Sequence, residues 1–490
     1  MNLGAITTAF KSAGSLQGKT LVAAAWSLLG SGGKGVIRFV SNLILTRLLF
    51  PEAFGLMGTA MLVLTLVQVF SDTGIKTALI QHKQGDRKEY INTSFIIALV
   101  RSAILFAALL ILIQPIAEFY QRPELKPILL IMSFAFLAEG LLNPALPLLI
   151  KSMRIEKQVA YSIGSQLAGF VTTLVLVLSL RSVNALALGY LMTSVYRVII
   201  SYLILPYLPR LKWDKQAGRD LIRFGKFIII NTMITWAAMN MDRFFIGKIL
   251  GMEDLGQYSI ALYIGLFLSE TLVQVFSQSY FPAVSSIADQ IQRVQEIYSR
   301  TSRLILAMAG PFLLLPVLFA QELIGILYDP RYGAAAVALF WIGLRANIQV
   351  VSNLQSGTLL ALGKPALVTI ANGLGLIALV LGLPNMTSEW GLAGAGIAIL
   401  ASSTLIGLIQ AIAMIQKLNF KLSTVSLPWL QLAGQGMVMV LLHRILSPLF
   451  ANTLPGDLAF MALMGFLALA TAGLGYRSLN QTRPAEGMAV

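Results

Sequence analysis

The chain has 490 residues, of which 57% are hydrophobic and only 12% are charged. A soluble domain carries about 25% charged residues, so this composition excludes soluble globular, disordered and disulfide-stabilised proteins. The net charge of +15 could suggest a nucleic-acid partner, but lysine and arginine retained in cytoplasmic loops explain it, and we expect no nucleic-acid binding. The sequence therefore predicts an all-α integral membrane protein with many spans.

Apolar runs of about 20 residues, the length of a membrane-crossing helix, recur along the chain. The weakest break between two runs lies near Arg181, and we expect Pro144 and Pro147 to kink the fourth span. We predict fourteen spans, at residues 20–49, 53–73, 91–113, 126–150, 159–180, 183–206, 222–250, 255–282, 300–321, 334–361, 366–384, 390–416, 425–447 and 457–477.

The loop charges predict the orientation of these spans. If the N-terminus is cytoplasmic, the cytoplasmic segments hold 23 lysines and arginines by count, and the opposite loops hold five. This asymmetry favours fourteen spans with both termini in the cytoplasm. It also makes residues 1–19 and 478–490 cytoplasmic tails, and no signal peptide is recognised at the N-terminus.

An internal repeat predicts two lobes. The heptapeptide TLVQVFS occurs at residues 65–71 and again at 271–277, and the flanking segments RLLFPEAFG and KILGMEDLG also align. The repeat offset equals six spans, an even number, so the two copies have the same orientation in the membrane. We expect an N-terminal lobe at 20–206, a basic cytoplasmic linker at 207–221, a C-terminal lobe at 222–416 and two extra helices within 425–477.

Ionisable residues inside these spans mark a candidate pathway, because charge in a bilayer is costly. Five basic residues are expected to line a cationic substrate-binding cavity: Lys34, Arg38, Arg101, Arg197 and Arg345. Three acids are available for coupling to a proton or sodium gradient: Glu139, Asp242 and Glu270. The alternative is structural, namely buried Arg–Glu pairs and interhelical hydrogen bonds that hold the bundle together.

No motif indicates catalysis, a metal or a cofactor. Residues 13–20, AGSLQGKT, fit a loose Walker pattern, but a phosphate loop needs a preceding strand and a soluble sheet, so we interpret the match as chance. Two histidines and no cysteine cannot build a multi-histidine or thiolate metal site. We therefore expect no catalytic residue, no metal, no cofactor and no enzymatic activity.

The segments SNLILTRLLFPEAFGLMG and FSDTGIKTALIQHK within residues 41–83 resemble the N-terminal signature of Wzx-type polysaccharide-export flippases of the MOP superfamily. The segments NMDRFFIGKILGMEDLGQYSIA and ELIGILYDPRYGAA resemble the same family. The resemblance implies a MATE-like fold of two six-helix lobes with two further C-terminal helices. It also implies translocation of an undecaprenyl-pyrophosphate-linked oligosaccharide across the bacterial inner membrane, for surface polysaccharide biosynthesis.

Two other functions compete with a flippase. A MATE-like multidrug exporter shares the fold, but cationic drugs favour an acidic cavity rather than this basic one. A membrane glycosyltransferase or polymerase usually needs a large extramembrane loop, and none is present in the sequence. The expected partners are the lipid-linked oligosaccharide, membrane lipids and an ion gradient, and we expect the protein to act as a monomer.

Overall fold

A computed structural model describes residues 16–69, 75–82, 84–152, 154–449 and 459–465. The described chain consists of helices joined by short connections and contains no strand. This confirms the all-α prediction. Residues 16–20 of the Walker-like segment are helical, which is not the conformation of a phosphate-binding loop.

The chain forms two compact units, Met1–Asn240 and Met241–Val490. In the first unit, α5 packs against α4 and α8, and α7 packs against α8 and α1. Its helices are α1 (Leu16–Leu48), α2 (Pro51–Val69), α3 (Ile75–Gln81), α4 (Lys88–Phe119), α5 (Leu125–Gly140), α6 (Pro147–Lys151), α7 (Ile155–Leu180) and α8 (Val183–Ile204).

In the second unit, α13 is the central helix and packs against α10, α11 and α14. Helix α9 (Lys215–Ile249) contains the boundary between the units. The later helices are α10 (Met252–Ser285), α11 (Ile291–Leu318), α12 (Ala320–Leu327), α13 (Ala335–Ala361), α14 (Pro365–Leu418) and α15 (Leu422–Leu446), with 3-10 turns at Pro330–Tyr332 and Ser447–Leu449. Residues 459–465 are also helical.

Left-handed residues mark two of the helix boundaries. Arg181 (φ 45°) ends α7 at the weak break that the sequence predicted, and α8 follows after one further residue. Within α14, Gly391 has φ 57° and ψ −137°, which interrupts the helix a few residues after Pro384. Glycine adopts this conformation without the steric penalty of a Cβ atom, so the position separates two helical segments.

The fourth predicted span is not one kinked helix. Helix α5 ends at Gly140, and the short α6 begins only at Pro147. Between them, Asn143 Oδ1 accepts a hydrogen bond from the backbone N–H of Ala145 (3.0 Å), and Asn143 Nδ2 donates to the carbonyl of Leu205 (2.6 Å). The asparagine side chain satisfies backbone groups that a helix would otherwise pair. Pro144 therefore lies in a turn and Pro147 begins α6, and neither proline kinks a continuous helix.

Helices α7 and α8 pack closely through a reciprocal pair of small residues. A Cβ atom added to Gly169 would collide with Thr193, and one added to Gly189 would collide with Thr173. Each helix thus carries one glycine and one threonine four residues apart, and each glycine faces the threonine of the other helix. Small residues of this spacing let helix backbones approach in membranes, where packing replaces the hydrophobic effect as the driving force.

Eight of the described helices are long and apolar enough to cross a membrane by length and composition. They are α2, α4, α7, α8, α11, α13, α14 and α15. Helix α14 contains 54 residues, more than twice the length that a single crossing needs, and is interrupted at Gly391.

Candidate functional site: polar clusters within each unit

Four polar side chains from four helices of the first unit form a continuous chain of contacts. Glu139 Oε1 lies 3.5 Å from Arg197 Nη1, which makes an ion pair between α5 and α8. Gln68 Nε2 of α2 donates to Glu139 Oε2 at 3.1 Å, and Arg101 Nη2 of α4 donates to the backbone carbonyl of Gln68 at 3.3 Å. With both arginines protonated and the carboxylate ionised, the cluster carries a net charge of +1.

Close helix packing brings these residues to one level. A Cβ atom added to Gly140 would collide with Ser102, so α4 and α5 nearly touch at the residues that follow Arg101 and Glu139 in sequence. The backbones of Arg101 and Glu139 are therefore close together, and the side chains of both residues can reach Gln68 on α2.

Two tyrosines lie within electrostatic range of this cluster. The charges of Glu139 and Arg197 act on the hydroxyl groups of Tyr161 on α7 and Tyr190 on α8. The ion pair itself is only partly buried, because the side chains of Arg197 and Glu139 are 42% and 28% exposed. The arrangement combines a guanidinium group with hydroxyl groups. Both kinds of group donate hydrogen bonds to phosphate and sugar oxygens.

Lys34 and Arg38 lie one helical turn apart on α1. Gln166 Nε2 of α7 donates to the backbone carbonyl of Lys34 at 3.3 Å, so α1 is attached to α7 at this level. The Lys34 side chain is half-buried and that of Arg38 is exposed. The described contacts do not join either side chain to the Arg101–Glu139–Arg197 cluster.

The second unit contains its own buried polar cluster. Asp242, only 4% exposed, accepts a hydrogen bond from the Tyr258 hydroxyl at 2.5 Å and another from the backbone N–H of Arg243 at 2.8 Å. The positive charge of Arg345 on α13 acts on the fully buried Tyr258. In the described part of the chain, Arg345 Nε is buried without a hydrogen-bond partner.

Five of the eight sequence-predicted site residues therefore fall into two groups, and Lys34 and Arg38 join neither of them. Arg101, Arg197 and Glu139 meet in the first unit, and Asp242 and Arg345 lie around Tyr258 in the second. The Glu270 side chain lies outside the described part of the chain. Tyr258 was not predicted from the sequence, since an isolated tyrosine in an apolar helix gives no signal. Gln68 was singled out only as part of the repeated heptapeptide.

The helical arrangement has the fold of solved membrane transporter structures. It is similar to the structure of lipid II flippase MurJ in an inward closed conformation, with a TM-score of 0.71 and 12% identity over 94% of this chain and 99% of that one. It is also similar to an inward-facing multidrug resistance MATE family transporter of the MOP superfamily, with a TM-score of 0.59 and 13% identity over 80% of this chain and 94% of the other.

The chain belongs to the family described as polysaccharide biosynthesis proteins, whose model matches residues 44–337, more than half of the sequence. Among curated relatives, the lipopolysaccharide biosynthesis protein WzxC of Escherichia coli K12 is 22% identical over 352 residues, which is 71% of each chain. The predicted resemblance to Wzx-type polysaccharide proteins is confirmed.

Proposed function

We propose that this protein is a flippase that moves a lipid-linked oligosaccharide across the bacterial cytoplasmic membrane for surface polysaccharide biosynthesis. The membership of the polysaccharide biosynthesis family carries this proposal, and the similarity to a flippase fold over 94% of the chain supports it. On this proposal the protein is a transporter and not an enzyme.

The proposed topology has fourteen spans, two six-helix lobes, two extra C-terminal helices and both termini in the cytoplasm. The loop-charge asymmetry favours it, and a common tertiary feature supports the repeat. In the first unit, Glu52 at the start of α2 pairs with Arg122 in the α4–α5 loop at 2.7 Å. In the second unit, Gln257 near the start of α10 donates to the Arg331 carbonyl in the loop before α13 at 3.4 Å. In each unit, the start of one helix (α2 or α10) thus contacts the loop that precedes a later helix (α5 or α13), as the proposed repeat requires.

The proposed substrate contact is an exchange of anions at Arg197. Glu139 serves as the counterion of Arg197 when the site holds no substrate. The pyrophosphate of the lipid carrier, with more oxygens and more charge than one carboxylate, then competes for the guanidinium groups of Arg197 and Arg101. Lys34, Arg38 and Arg345 are proposed as further contacts, while the polyprenyl tail remains in lipid.

Deletion of the gene in its host tests the proposal. A flippase defect leaves lipid-linked oligosaccharide on the cytoplasmic side of the membrane and depletes the surface polysaccharide, and both return to normal when the gene is restored. Unchanged surface polysaccharide together with increased sensitivity to cationic drugs would favour the multidrug exporter instead. Normal translocation with incomplete glycan chains would favour an enzyme of polysaccharide assembly.

A further inference from the structure

The segment that joins α8 to α9 is held tightly against one end of the first unit. Asn92, in the first turns of α4, accepts hydrogen bonds through Oδ1 from the Tyr207 hydroxyl and from the backbone N–H of Arg210, both at 3.0 Å. Next to it, Thr93 Oγ1 accepts from the backbone N–H of Asp214 at 3.0 Å. Partial burial raises the pKa of Tyr207, which keeps its hydroxyl protonated as a donor.

Further contacts fix both ends of the segment. Asn143 holds its beginning through the carbonyl of Leu205 at 2.6 Å. At its other end, in the first turns of α9, Asp220 accepts a hydrogen bond from the hydroxyl of Tyr90 on α4 at 2.8 Å. The backbone of residues 205–220 therefore follows the end of the helix bundle and cannot extend away into solvent.

These anchors place the segment at the depth of the lipid headgroups. Helix α8, with 22 residues, is about 33 Å long and matches the thickness of the hydrocarbon core, so its last residue, Ile204, lies at the interface. Helix α4 begins with the charged residues Lys88 and Glu89, so its first turns, which hold the segment, lie at the same level.

The outward side chains of this segment combine apolar and basic groups. Leu208, Leu211 and Trp213 are 84%, 76% and 50% exposed, an unusual grouping for a surface loop in water. The Trp213 ring packs over Gly218, where a Cβ atom would collide with it, and this contact fixes the orientation of the indole. Four exposed basic residues lie among them: Arg210, Lys212, Lys215 and Arg219.

We propose that residues 206–219 form a membrane-surface strap that binds anionic phospholipid headgroups. The four basic side chains contact the phosphates, while the leucines and the tryptophan insert at the level of the headgroups, where amphipathic aromatic rings are favoured. Each basic residue near an anionic surface contributes about fivefold to the preference for anionic lipid. This strap is separate from the proposed translocation site.

The absence of cysteine allows a direct test. A Leu211→Cys variant is labelled with bimane and reconstituted in phosphatidylcholine vesicles that contain equal small fractions of brominated phosphatidylglycerol or brominated phosphatidylcholine. We expect the phosphatidylglycerol to quench at least about fivefold more efficiently. The reference position is Asp289→Cys, in the exposed turn between α10 and α11, where we expect no such preference.

Charge variants distinguish the strap from general electrostatic attraction. Replacing the four basic residues of the strap by glutamine should abolish the preference for anionic lipid that the label at position 211 reports. A matched variant with the same net charge, with Arg300, Lys364, Lys417 and Lys421 replaced by glutamine, should retain it, because these exposed residues lie in the second unit. All eight side chains are at the surface, and thermal unfolding verifies that each variant is folded.

Three results would overturn the proposal. The first is equal quenching by the two brominated lipids, and the second is equal loss of preference in both charge variants. The third is a bimane label that iodide quenches fully from water and that neither lipid quenches, since this would place the segment in solvent.

Discussion

Replacement of Arg197 by glutamine separates a role in transport from a role in holding the helices together. Arg197 lies 3.5 Å from Glu139, and the two side chains are 42% and 28% exposed, so water in the proposed cavity would screen the pair. Ion pairs of this exposure contribute about 0–1 kcal/mol to stability. In Arg197→Gln, Glu139 keeps its hydrogen bond from Gln68, and no charge is left buried without a partner. We therefore expect a loss of less than about 1 kcal/mol in unfolding free energy.

The expected effect on transport is larger. One hydrogen bond between charged groups contributes about 1.5–3 kcal/mol. If Arg197 donates to the pyrophosphate in the limiting step, its loss slows translocation roughly ten- to hundred-fold. The assay is export of surface glycan, normalised to the amount of protein in the membrane, together with a thermal unfolding curve of the purified variant.

Arg331→Gln is the matched control. Arg331 also forms an ion pair, with Asp329 at 2.8 Å, and both side chains are 34% exposed, but it lies in the loop before α13 and outside the proposed site. We expect normal export per molecule in this variant. The reasoning is refuted if Arg197→Gln exports as well as the control, or if its export falls only in proportion to its level in the membrane. The second outcome would favour the structural interpretation of the ion pair.

Three further predictions concern packing, topology and the buried carboxylate. Gly189→Leu should separate α7 from α8, because the leucine side chain would collide with Thr173. The variant should have a lower melting temperature than Gly373→Leu, since Gly373 has open space around it. Equal melting temperatures of the two variants would contradict the close packing. A cysteine at Lys212 should react with an impermeant maleimide only in inverted membrane vesicles, and labelling in intact cells would contradict the predicted orientation. Tyr258→Phe should cost about 1–3 kcal/mol of stability, measured by thermal unfolding, because Asp242 loses a buried hydrogen-bond donor; an unchanged unfolding curve would show that water replaces the hydroxyl.

The helical class could be predicted because bilayer thickness and backbone hydrogen bonding leave a long apolar segment few alternatives. The break near Arg181 was also correct, since a charged residue between two apolar runs disfavours their continuation as one helix. The fourth span was wrong for a local reason. Asn143 and Pro144 lie in a break that is stabilised through the distant carbonyl of Leu205, a contact between residues far apart in sequence. An apolar run gives no sign of such a contact.

The candidate site was predictable in its residue types but not in its partners. The rule that charged residues in spans avoid lipid was sufficient to select Arg101, Glu139 and Arg197. It could not indicate that Glu139 pairs with Arg197 and also accepts from Gln68, because these residues lie on three helices. Helix α15 illustrates the same limit, since Gln435 Nε2 on α15 donates to the carbonyl of Leu306 on α11 at 3.1 Å.

The environments of the acids decide which of them suits ion coupling. A coupling carboxylate must bind and release a cation in each cycle, so it needs access to solvent and partners that exchange readily. Asp242 is 4% exposed and is held by hydrogen bonds from the Tyr258 hydroxyl and the Arg243 backbone N–H, so it lacks the access to solvent that such exchange needs. Glu139 is 28% exposed, and its partner Arg197 is itself proposed to exchange one anion for another. On the proposed function, substrate binding at Arg197 would free Glu139 to bind the coupling cation, which links the two events at one ion pair. Of these two acids, Glu139 is therefore the better candidate for coupling, and Asp242 the better candidate for a structural role.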